Sequence, residues 1–208
     1  MFEKRNIIGV FGTQGSGKTS WIRKELDKYK RVLILENGRE EFEGSLFFSK
    51  KDIASFLSNK IGFQALYFNV EAEDEEAINE VSEIAKAYTA HTKIHFDKHY
   101  DLMLVIDEAQ TYTSPHKIPK GFKNALMLSR HYQINIIFST QRPSQISRDL
   151  TSQASRFIIF NLQEKSDVEF FIGFIGKEAY NIPLLKPFHY LDVDLLNHSI
   201  TEKMLFRK

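Results

Sequence analysis

An α/β fold in three layers, with helices on both faces of a mostly parallel central sheet, is what this sequence predicts. Short apolar runs, of the kind buried on both faces, alternate along the chain with stretches of helical periodicity. Polar motifs stand at the ends of three such runs, and ligands in open α/β sheets bind at the carboxyl ends of the strands.

The elements follow in order. Asn6–Phe11 is a buried strand ending in a glycine loop, and Lys18–Lys30 a helix with Ile22, Leu26 and Tyr29 at helical spacing. Arg31–Leu35 is a second strand, closed by the turn signal Glu36-Asn37-Gly38. Lys51–Ser58 reads as a short helix, Gln64–Val70 as a strand, and Glu71–His91 as a long helix with Ile78, Val81, Ile84 and Ala85 on its apolar face. Leu102–Ile106 is a strand, and Pro119–Tyr132 a helix with proline at its first position. Ile134–Ser139 and Arg156–Leu162 are strands, joined by a loop and short helix at Pro143–Ser152. Ser166 caps a helix to about Ile175, which Gly176 stops; His189–Val193 reads as an edge strand. No repeat or linker divides the chain, so residues 1–208 read as one domain.

Composition narrows the function. A hydrophobic share of 42% and a charged share of 26% describe a globular core rather than a disordered chain. Net charge is only +1, so any contact with nucleic acid needs a local basic patch or charge concentrated by assembly. The absence of cysteine excludes disulfides, thiol catalysis and Cys-type zinc sites. The apolar runs are too short to cross a bilayer, and the first residues carry no signal-peptide pattern. A soluble cytoplasmic protein is expected.

Gly12-Thr13-Gln14-Gly15-Ser16-Gly17-Lys18-Thr19 fits the phosphate-loop pattern G-x-x-x-x-G-K-S/T. The glycines let the backbone curl so that N–H groups point at phosphate oxygens, and the following helix adds its positive end. Lys18 supplies charge to the β- and γ-phosphates, and Thr19 offers its hydroxyl to Mg²⁺. Leu102–Ile106 ends in Asp107-Glu108. Asp107 is placed to hold Mg²⁺ and Glu108 to polarise the attacking water as general base, which selects ATP hydrolysis. The run from Ile134 ends in Thr140-Gln141-Arg142-Pro143, where the Gln141 amide can sense the γ-phosphate and the lytic water.

Together these segments resemble the HerA/FtsK superfamily. The likeness rests on the phosphate loop, the strand ending Asp-Glu-Ala-Gln, Ser-Arg-His-Tyr before the next strand, and that strand's ending Ser-Thr-Gln-Arg-Pro-Ser-Gln-Ile. Leu150–Phe157 continues it, so the resemblance runs from about residue 6 to residue 163. Short length and the Arg130-His131 pair look most like the genome-packaging ATPases of membrane-containing viruses. The resemblance implies a P-loop NTPase fold of the additional-strand, catalytic-glutamate type. It also implies a homo-oligomeric ring that pumps double-stranded DNA, with a capsid or portal-vertex protein as a further partner and the host cytoplasm or virion as its place.

An arginine finger reaching a neighbour's ATP is part of that implication. Asn161 aligns where the HerA pattern has an arginine, which leaves Arg130, Arg142 and Arg156 as candidates, in that order of choice for the first two. His116, Lys117, Lys120 and Lys123, with Lys93, Lys98 and His99, are candidate DNA contacts if repeated around a ring. Rival functions are a filament-assembly or export ATPase of the zonula-occludens-toxin type, a small-molecule kinase, and a slow regulatory nucleotide switch. No metal-ligand spacing joins the histidines, so no structural metal is expected.

Overall fold

The computed structural model describes residues 6–36, 41–58, 60–68, 73–97 and 100–206. Among these, nine strands form one sheet. They are β1 (Ile7–Phe11), β2 (Arg31–Leu35), β3 (Ser45–Phe47), β4 (Phe63–Tyr67), β5 (Leu102–Ile106), β6 (Ile134–Thr140), β7 (Arg156–Ile159), β8 (His189–Asp194) and β9 (Ser199–Met204). Their order is β3-β4-β2-β5-β6-β1-β7-β8-β9. Pairing is parallel from β3 to β7 and antiparallel through β8 and β9. Strand β6 lies between β1, which feeds the phosphate loop, and β5, which ends in the acidic pair. That inserted strand is the additional strand of the expected fold class.

The helices are α1 (Lys18–Leu26), α2 (Lys50–Leu57), α3 (Asp74–Phe96), α4 (Lys120–Tyr132), α5 (Arg148–Ser152) and α6 (Lys165–Ile175). Alternation along each buried strand splits the core in two. Ile7 and Phe11 of β1 join Leu104, Ile136, and residues of α2, α3, α4 and α6 on one face; Ile8 and Val10 join α1 on the other. Trp21, Ile22 and Leu26 are the buried stripe of α1. The Phe11 ring meets Phe138, Phe157 and Phe171 edge-on, with centroids 5.8, 5.1 and 5.0 Å away.

Several boundaries differ from expectation, each for a local reason. Helix α1 stops at Leu26 because Lys30 already accepts a hydrogen bond from Phe63 N–H at the start of the sheet. Helix α3 runs on to Phe96, past His91, because Thr89 and Thr92 satisfy their buried hydroxyls on Ala85, Lys86 and Thr89 carbonyls. Their polarity hid that face. Strand β7 ends at Ile159 rather than Leu162, because Asn161 turns its carbonyl to Thr13 N–H of the phosphate loop. Strand β8 is interior, not an edge: β9, whose residues are all exposed, covers it. The other edge, three-residue β3, is equally silent in hydropathy. The turn at Asn37-Gly38, the end of the strand expected to reach Val70, the helix start at Glu71, and Lys98 and His99 lie outside the described residues. Among the described residues no helix is long and apolar enough to cross a membrane.

Phe11→Ala removes the ring that joins three phenylalanines beneath the phosphate loop. Urea denaturation should find the variant less stable by about 3–5 kcal/mol. A loss of under about 1 kcal/mol would mean that the neighbouring rings close the gap.

Candidate active site

The phosphate loop is tied to the strands on either side of β1. Gly12 N–H donates to Thr140 O of β6 at 3.3 Å, and Thr13 N–H to Asn161 O beyond β7 at 3.0 Å. A Cβ on Gly12 would stand 2.5 Å from Ser16 Oγ and 2.7 Å from Phe160 Cβ. Gly17 caps α1 in the left-handed region at φ 111°, with no side chain competing for the helix's free N–H groups. A Cβ there would press on Phe160, Phe188 and Leu205, all at 3.2–3.3 Å. Ser16 Oγ is buried without a hydrogen-bond partner among the described residues. Lys18 is buried too, its ammonium donating to Gly12 O at 2.9 Å and Thr13 O at 3.2 Å. A cradle of this shape, with an unpaired hydroxyl and a cation resting on carbonyls, fits a phosphate chain.

Across from it, β5 delivers Asp107 and Glu108, each only 4% exposed. The Ser139 hydroxyl, at the end of β6, donates to Asp107 Oδ1 and accepts from Glu108 N–H at 3.1 Å. Burial, with Glu108 and Glu41 adding to it, pushes the Asp107 carboxyl up to about 6, against the Ser139 hydrogen bond and Lys18. A carboxylate so short of positive charge suits a divalent cation. Glu108 sits at φ 50°, an uncommon conformation for a residue with a side chain. Its Oε1 accepts from Gln141 Nε2 at 2.6 Å and its Oε2 from Gln110 Nε2 at 2.5 Å.

Gln14, Gly15, Gly17, Lys18, Thr19, Ser20, Glu41, Glu108, Gln141 and Phe188 line one cavity of about 330 Å³. A second cavity of about 330 Å³ adjoins the loop at Thr13–Ser16 and is walled by Asn161 and residues Leu185 to His189. Asp107 lies behind the first cavity and lines neither. Thr19 is turned toward Glu41, donating its hydroxyl to Oε2 at 2.5 Å.

The arginines part company. Arg156 is bidentate to buried Asp192, at 2.7 Å on each oxygen, with its guanidinium over Trp21, so it belongs to the framework. Arg142 is half-exposed and reaches buried Asp167 at 3.3 Å. Arg130 is exposed at the last turn of α4 and forms no ion pair or hydrogen bond among the described residues. The seven residues of β6 separate it from the Gln141 end, roughly 20 Å at strand rise, so it cannot serve its own site. Asn161, which aligns where the HerA pattern has an arginine, staples the tail: its amide donates to Pro183 O at 2.9 Å and Leu185 O at 3.2 Å. Of the candidate DNA contacts, Lys117 pairs with Glu75, Lys123 with Asp149 and Lys93 with Asp97, while Lys120 is exposed and unpaired among the described residues.

Glu41, Gln110, Ser139 and Phe188 were not singled out from the sequence. Ser139 left one signal, a hydroxyl at the end of a buried apolar run. Glu41 and Phe188 left none, because each reaches the loop only through the fold.

A family model described as Zonular occludens toxin (Zot) matches residues 7–163. The DNA packaging ATPase P9 of Enterobacteria phage PRD1 is 26% identical, across 93% of this chain and 85% of its own length. Among solved structures, the genome packaging NTPase B204 from Sulfolobus turreted icosahedral virus 2, in complex with ATP-gammaS, superposes with a TM-score of 0.77 at 22% identity. It covers 97% of this chain and 98% of its own. VirB4 of Thermoanaerobacter pseudethanolicus, at 11% identity, has a TM-score of 0.62 and covers 100% of this chain and 91% of its own. At these identities the structural likenesses establish the fold.

Between its ordinary value of 3.8 and its folded value of about 6, Asp107 keeps a proton that the unfolded chain has lost. The metal-free protein therefore loses stability as pH rises through that window, and the cost is complete above it. Asp107→Asn removes the cost, so the metal-free variant should exceed wild type by on the order of 1–3 kcal/mol near pH 8, the gap closing below about pH 4. Urea denaturation at both pH values measures it. Equal stability near pH 8 would mean that the carboxylate is already compensated.

Proposed function

We propose that this chain, which belongs to the Zonular occludens toxin (Zot) family, hydrolyses ATP as a homo-oligomeric ring and moves double-stranded DNA, packaging a viral genome into its capsid. The observation that carries the hydrolytic half is the meeting of Glu108 and Gln141 with Lys18 and Thr19 around one cavity. The transport half is supported by the packaging ATPase P9, whose likeness runs over nearly all of this chain rather than stopping at residue 163.

In this reading Gly12–Thr19 hold the triphosphate, and Lys18 exchanges its carbonyl partners for phosphate oxygens. Thr19 leaves Glu41 and joins Asp107 in holding Mg²⁺. Magnesium, when bound, neutralises charge on the β- and γ-phosphates. Glu108 takes the proton of the attacking water, and Gln141 orients that water from the neighbouring strand end. The adjoining cavity takes the nucleobase against Phe188, the half-exposed ring that lines both spaces. A buried general base beside a metal site favours water as the nucleophile over the acceptor hydroxyl that a small-molecule kinase needs.

Arg130 acts on a neighbouring subunit's phosphates, since its place beyond β6 keeps it from its own. Arg142 is the second candidate, held back by Asp167. Lys120 and His116 are left to meet DNA, with Lys117 and Lys123 already paired to acids. The capsid or portal vertex is the further partner, in the host cytoplasm or on the virion. A second reading, filament assembly or export, is favoured by the name of the matched family alone.

ATP turnover per subunit should rise cooperatively with protein concentration and rise again on adding duplex DNA. Flat turnover, indifferent to both, would overturn the motor. Mixing Arg130→Ala subunits into wild type should depress activity more steeply than dilution does. A loss proportional to the mixing ratio would return Arg130 to the surface.

A further inference from the structure

Glu108 is held at both oxygens by amides, one of which lines the phosphate cavity and one of which does not. Gln141 lines that cavity; Gln110 lines neither cavity and reaches Glu108 Oε2 at 2.5 Å from the turn that follows β5. The geometry points to Gln110 as a positioning residue for the hydrolytic base: it fixes the plane of the Glu108 carboxylate from behind, while Gln141 holds the cavity side. The inference rests on the proposed role of Glu108 and adds to it a residue that touches neither nucleotide nor water.

Three observations carry it. The turn is pinned so that Gln110 must return to Glu108: Ala109 N–H donates to Ser139 O at 2.7 Å, and Thr111 N–H to Glu108 O at 2.8 Å. The left-handed backbone at Glu108 brings the side chains of residues 108 and 110 together across that turn. Most telling is the other end of the amide. Gln110 Oε1 is buried and accepts no hydrogen bond among the described residues, while its Nε2 donates to Glu108, so the contact that orients the amide is the one to the carboxylate. Turning it over would aim an oxygen at the carboxylate. An apolar side chain would fill the space without stranding an acceptor, and a residue that strands one is explained by what its donor does. A carboxylate with three free torsions, held by one amide, can still swing; a second amide on the second oxygen removes that freedom before the reaction begins.

The test compares Gln110→Ala, Gln110→Leu and Gln110→Glu with wild type and with Glu108→Gln. The readouts are steady-state ATP turnover, affinity for a fluorescent ATP analogue, and melting temperature. Gln110→Ala and Gln110→Leu should lose ~10-fold or more in kcat, with nucleotide affinity within about twofold of wild type. Gln110→Glu, nearly the same size, should lose most, because it sets an acceptor against Glu108. A packing role would reverse that order, with alanine worst and glutamate mildest. The leucine variant keeps the comparison open if the alanine variant does not fold. Near-normal kcat in both Gln110→Leu and Gln110→Glu, with Glu108→Gln inactive, would overturn this inference and leave the base standing. Normal turnover by Glu108→Gln would overturn the base and Gln110's role with it.

Discussion

Ser139 joins two buried acids with one hydroxyl, donating to the Asp107 carboxylate and accepting from the Glu108 N–H. This contact lies between β5 and β6 at the carboxyl edge of the sheet, and it is intelligible only because β6 is inserted between β5 and β1. The insertion places Ser139 beside Asp107, Gln141 beside Glu108, and Thr140 O beneath Gly12 N–H. A single strand thus sets the distance between the phosphate cradle and the acids that face it. Parallel pairing does the rest, since all three strands end at the same edge.

The charge balance of the site is lopsided without ligand. Asp107, Glu108 and Glu41 gather near one buried lysine, and burial, with the two glutamates adding to it, raises the Asp107 carboxyl above its ordinary range. Lys18 rests on its own loop's carbonyls, and Thr19 on Glu41. These are exchangeable partners of the kind that a phosphate and a divalent cation replace. Desolvating the carboxylates costs stability, a cost that a cation bound beside them would offset. Amides on both oxygens of Glu108 fix the plane of its carboxylate, as the proposed role of a base requires.

The tail has more to do with the loop than its position in the chain suggests. Asn161 ties Pro183 and Leu185 to the end of the central strands, and the β8–β9 hairpin brings Phe188 and Leu205 against Gly17. One wall of the cavity beside Thr13–Ser16 is therefore built by residues Leu185 to His189. A chain cut after residue 163, where the family model stops, would keep the acids and lose that wall.

Sequence by itself determined the parts whose chemistry is contiguous. The glycine loop, Asp107-Glu108 and Thr140-Gln141 are each written within a few residues, and β1, β2, β5 and β6 announce themselves because strands buried on both faces must be apolar throughout. Tertiary structure alone decided the rest. Strands β3 and β9 are edge strands with one or both faces in water, so no hydrophobic pattern marks them. Glu41 meets Thr19 across 22 residues and Phe188 meets Gly17 across more than a hundred, contacts that no local spacing encodes. Arg156 looks in sequence like a candidate finger and Asn161 like the position where one is missing, and only the fold supplies the Asp192 carboxylate and the tail carbonyls that occupy them. Gln110 stands two residues from Glu108, but its hydrogen bond to that carboxylate depends on the left-handed turn at Glu108, a backbone conformation that the string of letters does not record.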